Sequence, residues 1–197
     1  GSMLASTGFE GNIYLWEVST GELIDTLSGH DGTVLIAAFS PDGSLLVTGA
    51  RDSTARVWDM QTRQQKLVLA HGANEWVDAL AFSPDGQYII TGSDVGFLHV
   101  WDLTGAELNQ WQGHDEGINS VAFSKDGSLM ATAGADRLIR VWDAATLRME
   151  QPVSNYFSGH LDWVYKAIFT PDGSQLISAS ADRTIRVWNI NDIREEF

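Results

Sequence analysis

Three stretches of this chain set a histidine, a hydroxyl side chain and an aspartate at fixed intervals: His30, Thr48 and Asp52; His114, Thr132 and Asp136; His160, Ser178 and Asp182. An imidazole between a carboxylate and a hydroxyl is the chemistry of a nucleophilic hydrolase. The carboxylate orients the ring, and the ring takes the hydroxyl proton. A catalytic set occurs once per site, however, and this one recurs three times with the same spacing. No Gly-x-Ser-x-Gly elbow or phosphate-cradling glycine loop accompanies it. Recurrence points to a scaffold, and no enzyme activity is expected.

The elements that must position these groups repeat with them. Trp16, Trp58, Trp101, Trp142 and Trp188 follow one another at steps of 42, 43, 41 and 46 residues, each closing a phrase of the type Val-Trp-Asp. A period of this length means one supersecondary unit copied along the chain, with neighbours stacked to bury their apolar faces. Between the tryptophans, Phe39-Ser40-Pro41-Asp42-Gly43 returns as Phe82-Ser83-Pro84-Asp85-Gly86, Phe123-Ser124-Lys125-Asp126-Gly127 and Phe169-Thr170-Pro171-Asp172-Gly173. Proline presets φ, aspartate bonds the local backbone and glycine accepts a positive φ, so these are turns. Apolar, β-branched runs on either side make hairpins. In the second unit the expected strands a to d cover about 34–39, 45–48, 54–58 and 65–69. Helical repeats of similar length fail, because the turn cuts every unit and no window shows a 3.6 period.

Trp-Asp-ended sheets at this period, with the preceding Gly-His pairs, resemble the WD-repeat β-propeller family over residues 3–190. The resemblance implies a buried tetrad in each complete blade, joining the histidine, the hydroxyl, the turn aspartate and the tryptophan. His30, Thr48, Asp52 and Trp58 fit it, as do His114, Thr132, Asp136 and Trp142, and His160, Ser178, Asp182 and Trp188. The hydroxyl can accept the indole N–H while the carboxylate accepts from the imidazole. Two blades depart. In the third, Val95 holds the turn position, Asp94 lies one place early and His71 follows Ala70 in a d–a loop two residues longer than that of the second blade, so a broken or rearranged tetrad is expected. In the first, Ser6 supplies the hydroxyl, Glu10 stands for the aspartate and no histidine precedes them.

The expected architecture is all-β: about 4.5 blades and 18 strands, in a ring that one chain does not close. Gly1 and Ser2 are set aside as an expression scar, leaving a single domain over 3–197 with blades at about 3–28, 29–69, 70–112, 113–158 and 159–190. The first blade lacks its inner strand, and the last, with a polar 191–197 tail, lacks its outer one. A second insertion, between Trp142 and His160, places Pro152 at an outer strand, where a missing N–H does least harm. Two open blade faces of roughly 400 Å² would each forgo about 10 kcal/mol at ~25 cal/mol per Å². A homo-oligomer, preferably a dimer, or the remainder of a longer propeller is therefore expected to complete the ring.

A net charge of −14, from 12 basic and 26 acidic residues, repels nucleic acid and favours a basic partner if any charge preference exists. Cysteine is absent, which excludes disulfides and thiolate metal sites. No apolar run is long enough for a membrane span, and no secretory leader is visible, so a cytoplasmic protein is expected. No metal-ligand cluster and no cofactor are expected.

The candidate partner surface is the face that carries the d–a and b–c loops, where residues vary among the repeats. The resemblance implies that this face binds proteins or peptides. Its candidate contact residues are Arg51, Trp76, Asp78, Asp94, Asn119, Trp163 and Tyr165, with exposed aromatics as the strongest. For Trp76 and Trp163 the competing role is capping a blade core, and Trp111 is expected in a core. Arg56, His99, Arg140 and Arg186 share one strand-c position and are expected to form a solvated or salt-bridged row of small energetic weight.

Overall fold

The computed structural model describes residues 1–149, 152, 154–192 and 194–195. Five antiparallel sheets follow one another along the chain. The first holds β1 (Met3–Thr7), β2 (Asn12–Glu17) and β3 (Leu23–Ser28). The second holds β4 (Val34–Phe39), β5 (Leu45–Ala50), β6 (Thr54–Asp59) and β7 (Gln64–Ala70). The third holds β8 (Val77–Phe82), β9 (Tyr88–Ser93), β10 (Phe97–Asp102) and β11 (Glu107–Gln112). The fourth holds β12 (Ile118–Phe123), β13 (Leu129–Gly134), β14 (Leu138–Asp143) and β15 (Ser154–Ser158), and the fifth β16 (Val164–Phe169), β17 (Gln175–Ser180) and β18 (Ile185–Asn189). These 18 strands form sheets of three, four, four, four and three, meandering without crossover. Among the described residues there is no α-helix, only two 3₁₀ turns.

The tail contributes one element that the repeat does not encode. The two-residue strand β19 (Arg194–Glu195) does not extend the fifth sheet. It pairs antiparallel with Tyr156 and Asn155 of β15, at the outer edge of the fourth. Pro152 lies before β15 rather than in it, so the expected edge-strand proline is a loop residue. Gln151, in the same insertion, falls outside the described residues.

Each hairpin turn uses the same hydrogen bonds. The Ser40 hydroxyl donates to Asp42 Oδ1 at 2.6 Å, Asp42 Oδ1 accepts from the Ser44 amide at 3.0 Å, and Gly43 takes φ = 73°. Asp85, Asp126 and Asp172 repeat the pattern with Ser83, Ser124 and Thr170.

Successive sheets stack face to face, and four apolar cores lie between them. Leu46 and Trp58 meet Ile13 and Leu15; Val47 and Val57 meet Leu80 and Trp101; Ile90 and Leu98 meet Met130 and Trp142; Ala131 and Ile139 meet Val164 and Leu176. The inner strands β4, β8, β12 and β16 pack in series. Close approach is needed there: a Cβ on Gly49 would stand 2.7 Å from Val77 Cγ1, and one on Gly92 2.7 Å from Ile118 Cγ2. The five blades form an open arc of a propeller, not a closed ring.

The arc leaves its last sheet face bare. Val57, Val100 and Val141 are buried at one strand-c position, whereas the fifth blade's Val187 there is 59% exposed; Ala55, Leu98 and Ile139 are at most 1% exposed where Ile185 is 73% exposed. Ile168 and Ile177 extend this patch. At the other end, Leu4 is exposed where the second blade buries Leu46.

Candidate functional site

Three blades contain the complete buried network. His30 Nδ1 lies 2.8 Å from Asp52 Oδ2, and its Nε2 2.8 Å from Thr48 Oγ1, which accepts the Trp58 indole N–H at 2.9 Å. The fourth blade repeats this with His114, Asp136, Thr132 and Trp142, and the fifth with His160, Asp182, Ser178 and Trp188. The histidine side chains are 0% exposed. Burial pushes the His30 imidazole below its ordinary value, against the opposing hydrogen bond of Asp52. For Asp136, burial works to raise the carboxyl, but the hydrogen bond and charge of His114 hold it below the usual range. Each hydroxyl takes two partners, a histidine and a tryptophan, and sits 0–1% exposed. These groups join strands. In the first blade only the Ser6–Trp16 bond, 2.8 Å, remains.

The third blade is rewired. His71 Nε2 keeps Thr91 Oγ1 at 3.0 Å, and Trp101 donates to the same hydroxyl at 2.9 Å. The acid no longer comes from the b–c turn. Glu75, from the lengthened d–a loop, brings Oε1 to 3.8 Å from His71 Nδ1 and 2.9 Å from His99 Nε2. His99 Nδ1 in turn faces Glu107 Oε1 at 2.6 Å. Of the solvated and salt-bridged roles expected for the strand-c row, His99 takes the salt-bridged one, pairing with Glu107 across β10 and β11 while 2% exposed. His71, Glu75 and His99 present ligand atoms within 4.8 Å of one another, a grouping not expected from the sequence. The usable signal was a His-x₃-Glu loop two residues too long, followed by a histidine where the other complete blades carry arginine.

Asp94, displaced from the tetrad, instead accepts the Trp76 amide at 2.7 Å. That bond shapes the d–a/b–c face. Asp78, Asp94, Asn119 and Trp163 line one open cleft of about 530 Å³, together with Asp115 and Glu116. Beside it, the Arg51 guanidinium stands 4.6 Å over the Trp76 ring. Burial raises the Asp78 carboxyl to about 6, the neighbouring Asp94 charge adds to this, and Arg51 opposes it. Trp163 is 51% exposed and Tyr165 53%, so neither ring is consumed in capping a core; Tyr165 does not line the cleft. Asn119 is partly committed, because its amide donates to the Val164 carbonyl of the next blade at 3.0 Å. Trp111 packs on the Trp142 core, ring centroids 5.4 Å apart.

Residues 21–59, 63–102, 105–143 and 151–189 each match the family "WD domain, G-beta repeat". The chain belongs to the WD-repeat family. Among curated WD-repeat relatives, it is 52% identical over 54 residues to the Periodic tryptophan protein 2 homolog of Neurospora crassa, covering 27% of this chain and 6% of that protein. It is 42% identical over 82 residues to Protein ROOT INITIATION DEFECTIVE 3 of Arabidopsis thaliana, covering 38% and 19%. With WD repeat and SOCS box-containing protein 1 of Homo sapiens it shares 40% identity over 77 residues, covering 38% and 18%. The WD-repeat chain thus spans less than a fifth of the length of each of these relatives. WD-repeat proteins are generally protein-interaction scaffolds, and the buried tetrads fit a scaffold. No helix among the described residues is long and apolar enough to cross a membrane.

Proposed function

We propose that this chain is a non-enzymatic protein-binding module whose d–a/b–c face holds a basic segment of a partner protein. The acidic cleft between the third and fourth blades carries this reading. Four carboxylates, Asp78, Asp94, Asp115 and Glu116, line it beside the exposed Trp163 ring, and none of its lining residues is basic. Carboxylates select lysine or arginine by charge, and an aromatic wall stacks on the same side chains. Arg51 and Trp76 form the adjoining rim, and Tyr165 widens the apolar contact. The overall charge of −14 steers the same class of partner. A cytoplasmic setting accords with this role. Fluorescence anisotropy with Lys/Arg-rich and Glu/Asp-rich peptides tests it. The basic peptides bind, and the combined substitution of Trp76, Asp78, Trp163 and Tyr165 by alanine removes binding without unfolding the chain. Equal binding of acidic peptides, or full binding by the folded variant, overturns it.

A second reading rests on a separate observation. The bare face of Ile168, Ile177, Ile185 and Val187 has the composition of an inter-blade core without its neighbour. Another blade is its natural cover, and we infer that a second copy of this chain supplies one. Light scattering behind size exclusion distinguishes a dimer from a 21.6 kDa monomer.

A further inference from the structure

We propose that His71, Glu75 and His99 form a divalent-metal site in the third blade, with zinc the ion that its donor set selects. Three observations converge. The ligand atoms lie within 4.8 Å of one another on buried side chains. His71, whose side chain is 0% exposed, points Nδ1 into the cluster with no hydrogen-bond partner. Every other histidine here has its Nδ1 engaged: His30, His114 and His160 by a tetrad aspartate and His99 by Glu107. A buried polar atom left unpaired is costly, and a cation supplies what Nδ1 lacks.

The spacing suits the ion. Zinc bonds of about 2.0–2.1 Å in a tetrahedron put ligand atoms about 3.3 Å apart. Glu75 Oε1 lies 2.9 Å from His99 Nε2 and 3.8 Å from His71 Nδ1, so these two edges need to change by only about half an ångström, and the third is no longer than 4.8 Å. Two imidazoles and one carboxylate suit zinc, whereas calcium and magnesium take oxygen donors. The three protein donors leave a fourth position for water.

The surrounding groups are arranged as metal sites arrange them. Each imidazole holds its other nitrogen on a fixed oxygen, His99 Nδ1 on Glu107 at 2.6 Å and His71 Nε2 on Thr91 at 3.0 Å. The second Glu75 oxygen accepts the Gly72 amide at 2.9 Å. Glu75 directly precedes Trp76, so the ion would tie the d–a loop to strand β10 and brace the rim of the recognition face. In this blade the cation replaces the histidine–aspartate bond of the other tetrads. Nothing here depends on the partner proposed above.

The test uses the whole chain, stripped with chelator and titrated with zinc in a calorimeter. One equivalent binds. Glu75→Gln and His99→Asn each abolish uptake, the exposed first-blade Glu22→Gln leaves it unchanged, and Glu107→Gln weakens it about 10–100-fold by removing the bond that orients His99. X-ray absorption on the zinc-loaded wild-type chain needs no variant to fold, and it reports two imidazoles and a light-atom ligand. A folded wild-type chain that takes up no zinc overturns the site. So does a spectrum with fewer than two imidazoles, or uptake that survives in the folded Glu75→Gln/His99→Asn double variant.

Discussion

Arg51 of the second blade lies 4.6 Å over the ring of Trp76 of the third, so the rim of the acidic cleft is built across a blade boundary. The guanidinium also opposes the burial and the Asp94 charge that lift Asp78 to about 6. Replacing Arg51 by alanine removes that opposition. Asp78 then titrates above its wild-type value by carboxyl NMR, and basic-peptide affinity falls because Trp76 loses its support. An unchanged or lower Asp78 value contradicts this coupling.

Asp78 also carries a pH signature of stability. Its folded value, about 6, lies above the ordinary 3.8, so the native state binds the extra proton. Stability is therefore lost as pH rises from about 4 to 6. Asp78→Asn removes the penalty. After allowance for solvent screening at this part-exposed group, the gain at pH 7 is about 1 kcal/mol, and it vanishes below pH 4. Urea unfolding at pH 4 and pH 7 reads the difference; an equal effect at both places the cause elsewhere.

The turn aspartates behave in the opposite sense. Asp42 is held at about 2, chiefly by the Ser40 hydroxyl and then by the Ser44 amide and hydroxyl. Its contribution is present above pH 3.8 and lost as pH falls through about 2. Ser40→Ala removes the bond with the largest effect, and carboxyl NMR then shows Asp42 moving back toward 3.8. A value that stays at about 2 would mean that the backbone of the turn, not the hydroxyl, holds the carboxylate.

Much of this was legible because the repeat is strict. The tryptophan period, the Pro-Asp-Gly turns and the phase of the histidines specify which strands pair. They also specify which groups meet, since one register error would turn every inward side chain outward. The third blade was only partly legible. Its Asp94 was visibly displaced, but what replaced it depends on how a loop two residues longer folds back, and repeat phase carries no information about that path. His99 shows the same limit: its pairing with Glu107 follows from the register of β10 and β11, whereas its bond to Glu75 depends on the path of the longer loop. The polar 191–197 tail predicts no fourth strand for the last blade. The pairing of β19 with the fourth sheet is a long-range choice with no local motif.

The tetrads of the second and fifth blades differ in burial, and a difference in stabilisation should follow. Thr48 accepts from Trp58 and bonds His30, with all three groups buried. Thr48→Val keeps the shape and leaves two buried polar atoms unpaired, at about 1–3 kcal/mol each. Ser178→Ala breaks the same two bonds in the fifth blade, but Trp188 is only half-buried there and water can reach it. Denaturant unfolding should show the larger loss for Thr48→Val. Equal losses would mean that the fifth blade is as closed as the second.

The bare face of the last blade permits a comparison within one chain. Ile139 and Ile185 hold the same strand-c position, yet one is 1% exposed and the other 73%. Ile139→Asp places a carboxylate between two packed sheets without a partner, which costs several kcal/mol and unfolds at least the fourth and fifth blades. Ile185→Asp places it in water if the chain is alone, and stability then changes by no more than about 0.5 kcal/mol. If a second copy covers the face, Ile185→Asp dissociates the pair while leaving the monomer's circular dichroism intact. Light scattering on the two variants and the wild type separates the cases. A wild-type monomer at high concentration rules out self-association. A wild-type dimer that persists in Ile185→Asp moves the contact to another surface.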